Sequence, residues 1–296
     1  MTEKAEVPSL EELNYENVLI SVANPETAKQ LVTLAHLITD SRTTFHVMNV
    51  TQSGSFPEEE RSWRKGSQLV MDTTHYAQRL GRVAKPLTVT SSSIPNAIIN
   101  TADELGADLI LLGWFGRITS VAVRRSSVVN KVMHRASCDV AVLKSRKELG
   151  KVKKVMMPLG PNNPRPKRLS LVDKLVGQSG AEGELVHVLT GGGEAKSGEE
   201  AAGYLEEALD LMENSLDTRI VTSDSVLDGL LTAAEGTDLL VLGPGREWVF
   251  NRFLFGRTAD NLTNRVESSV VMFKGKEHKM VAWSRGLIKA IRDLFS

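Results

Sequence analysis

The stretch Asp108–Gly113 reads DLILLG, and 130 residues later the stretch Asp238–Gly243 reads DLLVLG. Two further pairs of segments repeat in the same order along the chain. They are VLISVA (Val18–Ala23) with VMMPLG (Val155–Gly160), and CDVAVLK (Cys138–Lys144) with SSVVMFK (Ser268–Lys274). A repeat of this length is a whole domain rather than a short solenoid unit. The 296-residue chain therefore reads as two copies of one domain.

The repeated segments are short, rich in Val, Ile and Leu, and bounded by Gly, Asn, Pro or Ser, as strands buried on both faces are. Between them lie segments with helical spacing, such as Thr27–Thr39 and Lys167–Gly177. This alternation predicts the α/β class, with two doubly wound, five-stranded parallel-sheet domains. We expect a first domain over residues 1–148, a second over 149–276 and a C-terminal amphipathic helix over 277–296.

The composition excludes several classes of protein. Lys plus Arg equals Asp plus Glu at 36 each, so no basic excess supports binding to nucleic acid. One cysteine forms neither an internal disulfide nor a zinc site alone. No apolar run approaches the roughly 20 residues of a membrane span, and the polar N-terminus MTEKAEVPSLEEL is not expected to be a secretory signal.

The loop after the fourth strand carries the candidate binding residues. Gly113 and Gly116 allow a ligand to approach the backbone closely, and Ser126 and Ser127 follow at the start of a helix. Free amides at a helix N-terminus favour an anion. The same residues also suit a turn followed by a helix cap, and this second interpretation stays open.

With this loop, the sequence resembles the universal stress protein family, over residues 15–145 and again over 150–275. Nucleotide-binding members carry Gly, two residues, Gly, nine residues, then Gly or Ser followed by Ser or Thr. Gly113, Gly116, Ser126 and Ser127 have this spacing. The resemblance implies that these four residues would hold the phosphates of ATP, with magnesium carried by the nucleotide.

Both copies depart from that pattern. Nucleotide-binding members place an Asp after the first strand, whereas this sequence has Ala23 and, in the second copy, Gly160. The second copy also breaks the glycine loop with Pro244 and places Arg257 where phosphate would need room. We therefore expect no cofactor in the second domain, ATP at most in the first, and no resident metal.

The remaining reactive side chains suggest structural roles. His46 and His187 are interpreted as equivalent strand positions with a shared packing role, and Cys138 as a buried, inert thiol. No pair of acid and base or nucleophile emerges at the carboxyl end of the predicted sheets. The chain is therefore not expected to be an enzyme.

Two features predict partners. The last strand of each copy should lie at a sheet edge, where it would pair with the other copy or with a second chain, and a homodimer is expected. Residues 277–296 place apolar side chains on one helical face and four basic residues on the rest. That helix would dock on the body or on a dimer mate, or lie at a membrane surface.

Tandem copies with the LLGWFG loop also resemble the cytosolic C-terminal regions of prokaryotic amino-acid permeases and cation–chloride cotransporters. The resemblance implies a non-enzymatic regulatory and dimerisation module, with a transmembrane domain preceding Met1 as partner. Such a module would lie in the cytoplasm on the inner face of the membrane. The alternative is a free-standing cytoplasmic universal stress protein that binds ATP through its first domain.

Overall fold

The protein is described by a computed structural model covering residues 13–114, 127–160, 166–191, 195–244 and 256–276. The first half of the chain contributes β1 (Asn17–Ser21), α1 (Pro25–Ile38), β2 (Thr44–Gln52), α2 (Glu58–Arg79), β3 (Val83–Ser91), α3 (Ile94–Glu104), β4 (Leu109–Gly113), α4 (Val128–Arg135) and β5 (Asp139–Lys144). The second half contributes β6 (Lys154–Pro158), α5 (Pro166–Ser179), β7 (Glu182–Thr190), α6 (Ala195–Leu209), β8 (Asp217–Ser223), α7 (Val226–Ala233), β9 (Leu239–Leu242), α8 (Arg257–Arg265) and β10 (Ser269–Lys274). A short 3₁₀ turn at Leu149–Lys151 connects the two halves.

All ten strands belong to one sheet, in the order β3-β2-β1-β4-β5-β10-β9-β6-β7-β8. Strands within each half are parallel, and β5 pairs with β10 in antiparallel orientation. The predicted α/β class, with two doubly wound five-stranded units, is confirmed. The predicted helix over 277–296 lies outside the described residues, and the bounds of the three domains stay predictions.

Helices cover both faces of the sheet. Helices α1, α2, α5 and α6 pack on one face, where the apolar core runs from Ile20 and Leu34 in the first half to Leu171 and Val241 in the second. Helices α3, α4, α7 and α8 pack on the other face over a second continuous core. Because each core contains buried residues from both halves, the two halves share their hydrophobic stabilisation.

The antiparallel pair of β5 and β10 decides between the two pairings that the sequence left open. Leu143 lies opposite Val271, and Ala141 lies opposite Phe273. The last strands of the two halves therefore pair with each other within one chain. A second copy of the chain would have to bind another surface. The homodimer stays a prediction.

Matching residues at the start of these two strands tie the halves together. Ser269 Oγ accepts hydrogen bonds from the backbone amides of Arg146 and Lys147, at 3.0 and 2.9 Å. Asp139, its counterpart in the repeat, accepts a hydrogen bond from the backbone amide of Lys276 at 2.5 Å. Each half thus satisfies backbone amides just beyond the last strand of the other half.

Asp139 has further partners. The Tyr15 hydroxyl donates to its Oδ2 at 2.9 Å, and Lys167 Nζ, on α5, lies 3.1 Å from its Oδ1. Burial, and next the charge of Asp139, raise the pKa of Tyr15 well above its ordinary value. The carboxylate is 2% exposed, so it joins the segment before β1 to two elements of the second half away from water.

We predict that Asp139→Asn lowers the free energy of unfolding by about 1–3 kcal/mol, because it leaves the half-buried Lys167 ammonium without its counter-charge. Chemical denaturation at two salt concentrations measures the loss. The matched control, Ser269→Ala, removes uncharged hydrogen bonds at the equivalent position and should cost a similar amount without salt dependence. An Asp139→Asn protein as stable as the unmodified chain would contradict the role given to this carboxylate.

Candidate functional site

The glycine loop of the first half leaves the sheet at the carboxyl end of β4. Gly113 is the last residue of β4, and the Trp114 amide still donates to the Leu143 carbonyl at 2.8 Å. Ser127 is the N-cap of α4, and its Oγ accepts from the Asn130 amide at 3.1 Å. Two of the four predicted phosphate residues therefore have places in the structure, while Gly116 and Ser126 lie outside the described residues.

Ser127 provides the helix cap that was one of the two interpretations open from the sequence. Its hydroxyl satisfies one of the amides that the first turn of a helix leaves without an intrahelical partner. The α4 N-terminus also carries the partial positive charge that attracts anions. The described geometry is compatible with both roles, and the phosphate cradle stays a prediction.

The position after β1 offers no acceptor for a base. Ala23 is exposed, and Asn49, which lines the same groove, uses its Nδ2 to donate to the Val22 carbonyl at 2.7 Å. Asn49 is buried, and its hydrogen bond holds it at the end of β1. At the position where the resembled family has its Asp, the described part of the first half therefore presents the methyl group of Ala23.

A broad groove of about 1280 Å³ opens beside Ala23, between α1 and α2. Asn49 and Gly66 also line it, and a Cβ on Gly66 would collide with the Asn49 amide oxygen. Gly66 is therefore required for the close approach of α2 to the end of β2. The charged residues along the groove are Lys29, Lys65, Asp72 and Arg79.

The second half solves the same packing problem differently. His187 Nδ1 contacts the Leu159 carbonyl at 2.8 Å, as Asn49 contacts Val22 in the first half. The Tyr204 ring, on α6, packs edge-on against His187 at 5.1 Å between centroids.

The expected equivalence of His46 and His187 is therefore wrong. The strand register places His46 beside Leu19 and Glu184 beside Met156, so His46 corresponds to Glu184. His46 makes a different contact, from its Nε2 to Asn17 Oδ1 at 3.1 Å. Each histidine lies in the second strand of its half, but His187 is three residues beyond the position that corresponds to His46.

In the second half, an arginine lies against Gly243, the counterpart of Gly113 in the repeat. The Arg168 guanidinium, from α5, lies against Gly243 at the end of β9, where even a Cβ would collide with it. Arg257, for which the sequence predicts an obstruction, is an exposed residue in the first turn of α8, and that obstruction stays a prediction. Arg168 thus occupies the space next to the counterpart of Gly113.

The remaining candidates for reactive or metal-binding chemistry in the described part of the chain are the thiol of Cys138 and the acidic and imidazole side chains. Cys138 is buried, and burial raises the pKa of its thiol to about 12, which keeps the reactive thiolate scarce. Among the described residues, no cluster of three His, Cys, Asp or Glu side chains is arranged to hold a metal. No helix within the same ranges has the length and hydropathy needed to cross a bilayer.

Comparisons with known proteins identify a family match in the first half and solved structures with the same fold. Residues 14–144 match the model of the universal stress protein family. The family match covers the first half of the chain, and the second half repeats the same strand order.

Two solved structures share the fold across nearly the whole chain. A universal stress protein from Archaeoglobus fulgidus DSM 4304 aligns with a TM-score of 0.62 at 15% identity, covering 88% of this chain and 96% of that one. The cytoplasmic domain of a prokaryotic cation chloride cotransporter aligns with a TM-score of 0.62 at 12% identity, covering 90% and 98%. At these identities the likeness shows the fold alone.

A sequence relative extends the comparison to a transporter. The Na⁺/H⁺ antiporter NhaS5 of Synechocystis sp. (strain ATCC 27184 / PCC 6803 / Kazusa) is 23% identical over 266 residues. The match covers 86% of this chain, and the chain spans 38% of the length of that relative.

We predict opposite effects for two glycines on matching helices. Gly66→Ala should lower the free energy of unfolding by about 1–3 kcal/mol, because the new methyl group forces α2 away from Asn49. Gly203→Ala, on α6, meets no atom within 4 Å and should raise it by up to about 1 kcal/mol through helix propensity. Denaturant titration measures the free energy of unfolding of both variants. Equal changes would contradict the close approach of α2 to Asn49.

An acidic residue placed after β1 should raise the affinity for nucleotide in the first half only. We expect Ala23→Asp to bind Mg-ATP about ten- to a hundredfold more tightly than the unmodified chain, the worth of one hydrogen bond to a buried polar group. Gly160→Asp is the matched control and should gain nothing, because Arg168 remains against Gly243. Calorimetric titration measures both, and equal gains would contradict the assignment of the two sites.

Proposed function

We propose that this chain is a non-enzymatic regulatory module of a cation transporter of the Na⁺/H⁺ antiporter type. The supporting observation is the similarity to NhaS5, which extends over most of this chain but over only 38% of the antiporter. The relative thus combines a segment like this chain with a larger remainder. The fold shared with a cotransporter cytoplasmic domain agrees with such an arrangement.

The two candidate sites support regulation over nucleotide chemistry. The first half has Ala23 where a base would need an acceptor, and the second half has Arg168 in its binding space. In these candidate sites, Asn49 and His187 hold strand ends and Ser127 caps a helix. We infer that the module works through contacts, and that its pockets are remnants of the fold.

In this proposal the module lies on the cytoplasmic face of the membrane beside the transmembrane domain. It biases transport by making different contacts in different transport states, as any regulator must. A homodimer would form through surfaces other than β5 and β10, and residues 277–296 would reach the membrane surface. The sequence alone does not identify a transported solute, and from the similarity to NhaS5 we propose a monovalent cation.

The proposal is tested by removing the codons for residues 13–276 from the encoding genome. Everted membrane vesicles from this strain and from the parent are compared for Na⁺-driven proton exchange, read as the recovery of a ΔpH-sensitive dye. We expect the Na⁺ concentration for half-maximal exchange, or its dependence on pH, to shift at equal antiporter abundance, measured by quantitative peptide mass spectrometry. Identical exchange curves at equal abundance would contradict the proposal.

A second candidate is a free-standing universal stress protein that binds ATP through the first half. Gly113 and Ser127 favour it, since they stand at the strand end and helix start that the family uses. The Mg-ATP titration separates the two candidates. A ligand present at a hundred times its dissociation constant stabilises a protein by about 2.7 kcal/mol, so unchanged stability of the unmodified chain in millimolar Mg-ATP would exclude this candidate.

A further inference from the structure

A buried arginine holds the end of helix α1. Arg82 lies in the turn between α2 and β3 and is 7% exposed. Its guanidinium donates hydrogen bonds to three backbone carbonyls, those of His36, Thr39 and Asp40. These carbonyls lie in the last turn of α1 and just beyond it, where a helix has no intrahelical donors left and a partial negative charge. The cation therefore stabilises the C-terminal end of α1.

The same guanidinium also binds an imidazole. Arg82 Nε donates to His36 Nδ1 at 2.8 Å. Because a guanidinium can only donate, Nδ1 must carry a lone pair, and the ring is neutral with its proton on Nε2. A proton on Nδ1 would point at the Nε–H group and place two cations 2.8 Å apart. Protonation of His36 and its hydrogen bond to Arg82 therefore exclude each other.

The surroundings of this pair favour the neutral imidazole. Arg82 is the charged group that acts on His36, and Asp40 is the one that acts on Arg82. From β2, the uncharged ring of Phe45 has its centroid 5.7 Å from the guanidinium carbon, and from α5, Lys174 pairs with Asp40. Burial, and next the charge of Arg82, lower the pKa of His36 below its ordinary value. The folded chain thus resists protonation of this ring.

Asp40 connects this contact to the second half of the chain. Its carbonyl accepts from Arg82, and its carboxylate lies 3.3 Å from the Lys174 ammonium on α5. Lys174 also donates to the Leu13 carbonyl at 3.0 Å, and Leu13 is buried in the core that the two halves share. A movement of the end of α1 therefore changes a contact between the two halves.

The second half makes the corresponding contact without an imidazole. Asn214 occupies the place of Arg82, three residues before the strand position that pairs with the counterpart of His46. Its backbone amide donates to Asp173 Oδ1 at 2.9 Å, and its Nδ2 donates to the Asp173 carbonyl at 3.1 Å. The segment before β8 is thus held to α5 by an amide and a carboxylate, and the contact with a histidine belongs to the end of α1.

We propose that His36 makes the contact between the two halves sensitive to acid. A proton on His36 breaks its hydrogen bond to Arg82 and repels the guanidinium. Arg82 then releases the end of α1, and Asp40 moves away from Lys174. The inference goes beyond the proposed function, because it concerns the chain itself and applies to both candidate functions.

The pH at which this release begins follows from the direction of the pKa shift. The pKa of His36 is lowered in the folded chain, so the released or unfolded form binds the proton first as the pH falls. The stabilisation by the neutral ring is complete above about pH 6.5, the ordinary value for histidine, and is lost as the pH falls from there toward the lower pKa of the folded state. One pH unit below the ordinary value favours the released form about tenfold.

Hydrogen exchange of the full chain at pH 7.5 and pH 5.5, followed by mass spectrometry, tests the release. Each rate is divided by the rate of an unfolded peptide at the same pH, which gives the protection of each segment. Residues 35–40 should be about tenfold less protected at pH 5.5. Residues 171–176 of α5 should lose protection to a smaller extent. Residues 109–113 of β4 should stay protected, and an equal loss there would contradict a local release.

Two histidine variants assign the effect of acid to one ring. His36→Asn places an amide oxygen where Nδ1 lies and does not titrate, so residues 35–40 should be equally protected at both pH values. His75→Asn, the matched control, removes an exposed histidine of α2 and should keep the response of the unmodified chain. The proposal is overturned if the His36→Asn protein loses as much protection in acid as the unmodified chain, or if the unmodified chain loses none.

A third variant tests the step from α1 to the second half. Lys174→Met keeps the apolar stem and removes the cation that holds Asp40. Residues 35–40 should then still respond to acid, whereas residues 171–176 should no longer do so. An acid response of α5 that is unchanged by Lys174→Met would overturn the proposed route between the halves. Because the readout needs neither a transporter nor a nucleotide, its failure is distinguishable from failure of the proposed function.

Discussion

The antiparallel pairing of β5 with β10 is the interaction on which the rest of the structure depends. It joins two parallel five-stranded units into one sheet and lets each apolar core continue from one half into the other. It also reverses the direction of the strands between the halves. The carboxyl edge of one half therefore lies beside the amino edge of the other, where helices of the doubly wound fold end. This reversal brings Lys144 to the C-terminus of α8 and Lys274 to that of α4.

Most of the fold could be predicted because its central strands are buried on both faces. β1, β4, β5 and their counterparts appear in the sequence as short runs of aliphatic residues. β3 and β8 gave no comparable signal, since they are the outer strands of the sheet and consist mostly of exposed and partly buried residues. Pro86 within β3 further weakened the pattern, because proline is tolerated at an edge strand but is unusual inside a sheet.

The sequence predicted those residues of the candidate site that are recognised by their spacing along the chain. Gly113 and Ser127 follow from the family pattern, and Ala23 follows from its place after the first strand. Arg168 against Gly243, and Lys144 between Trp114 and Thr263, join residues far apart in sequence, and only the tertiary structure brings them together. One signal was available: a lysine ends the last apolar strand of both copies, and a cation repeated at the end of a buried strand indicates a buried partner.

The two halves have kept the fold while their pockets diverged. Asn49 with Gly66 leaves an open groove in the first half, whereas His187 with Tyr204 and Arg168 with Gly243 occupy space in the second. Such divergence agrees with the proposal that the chain works through its surfaces and through the connection between its halves. A regulatory role of this kind requires that the two halves act as one body. Differential scanning calorimetry tests this most directly: we predict a single transition whose calorimetric and van't Hoff enthalpies agree, and two separable transitions would contradict it.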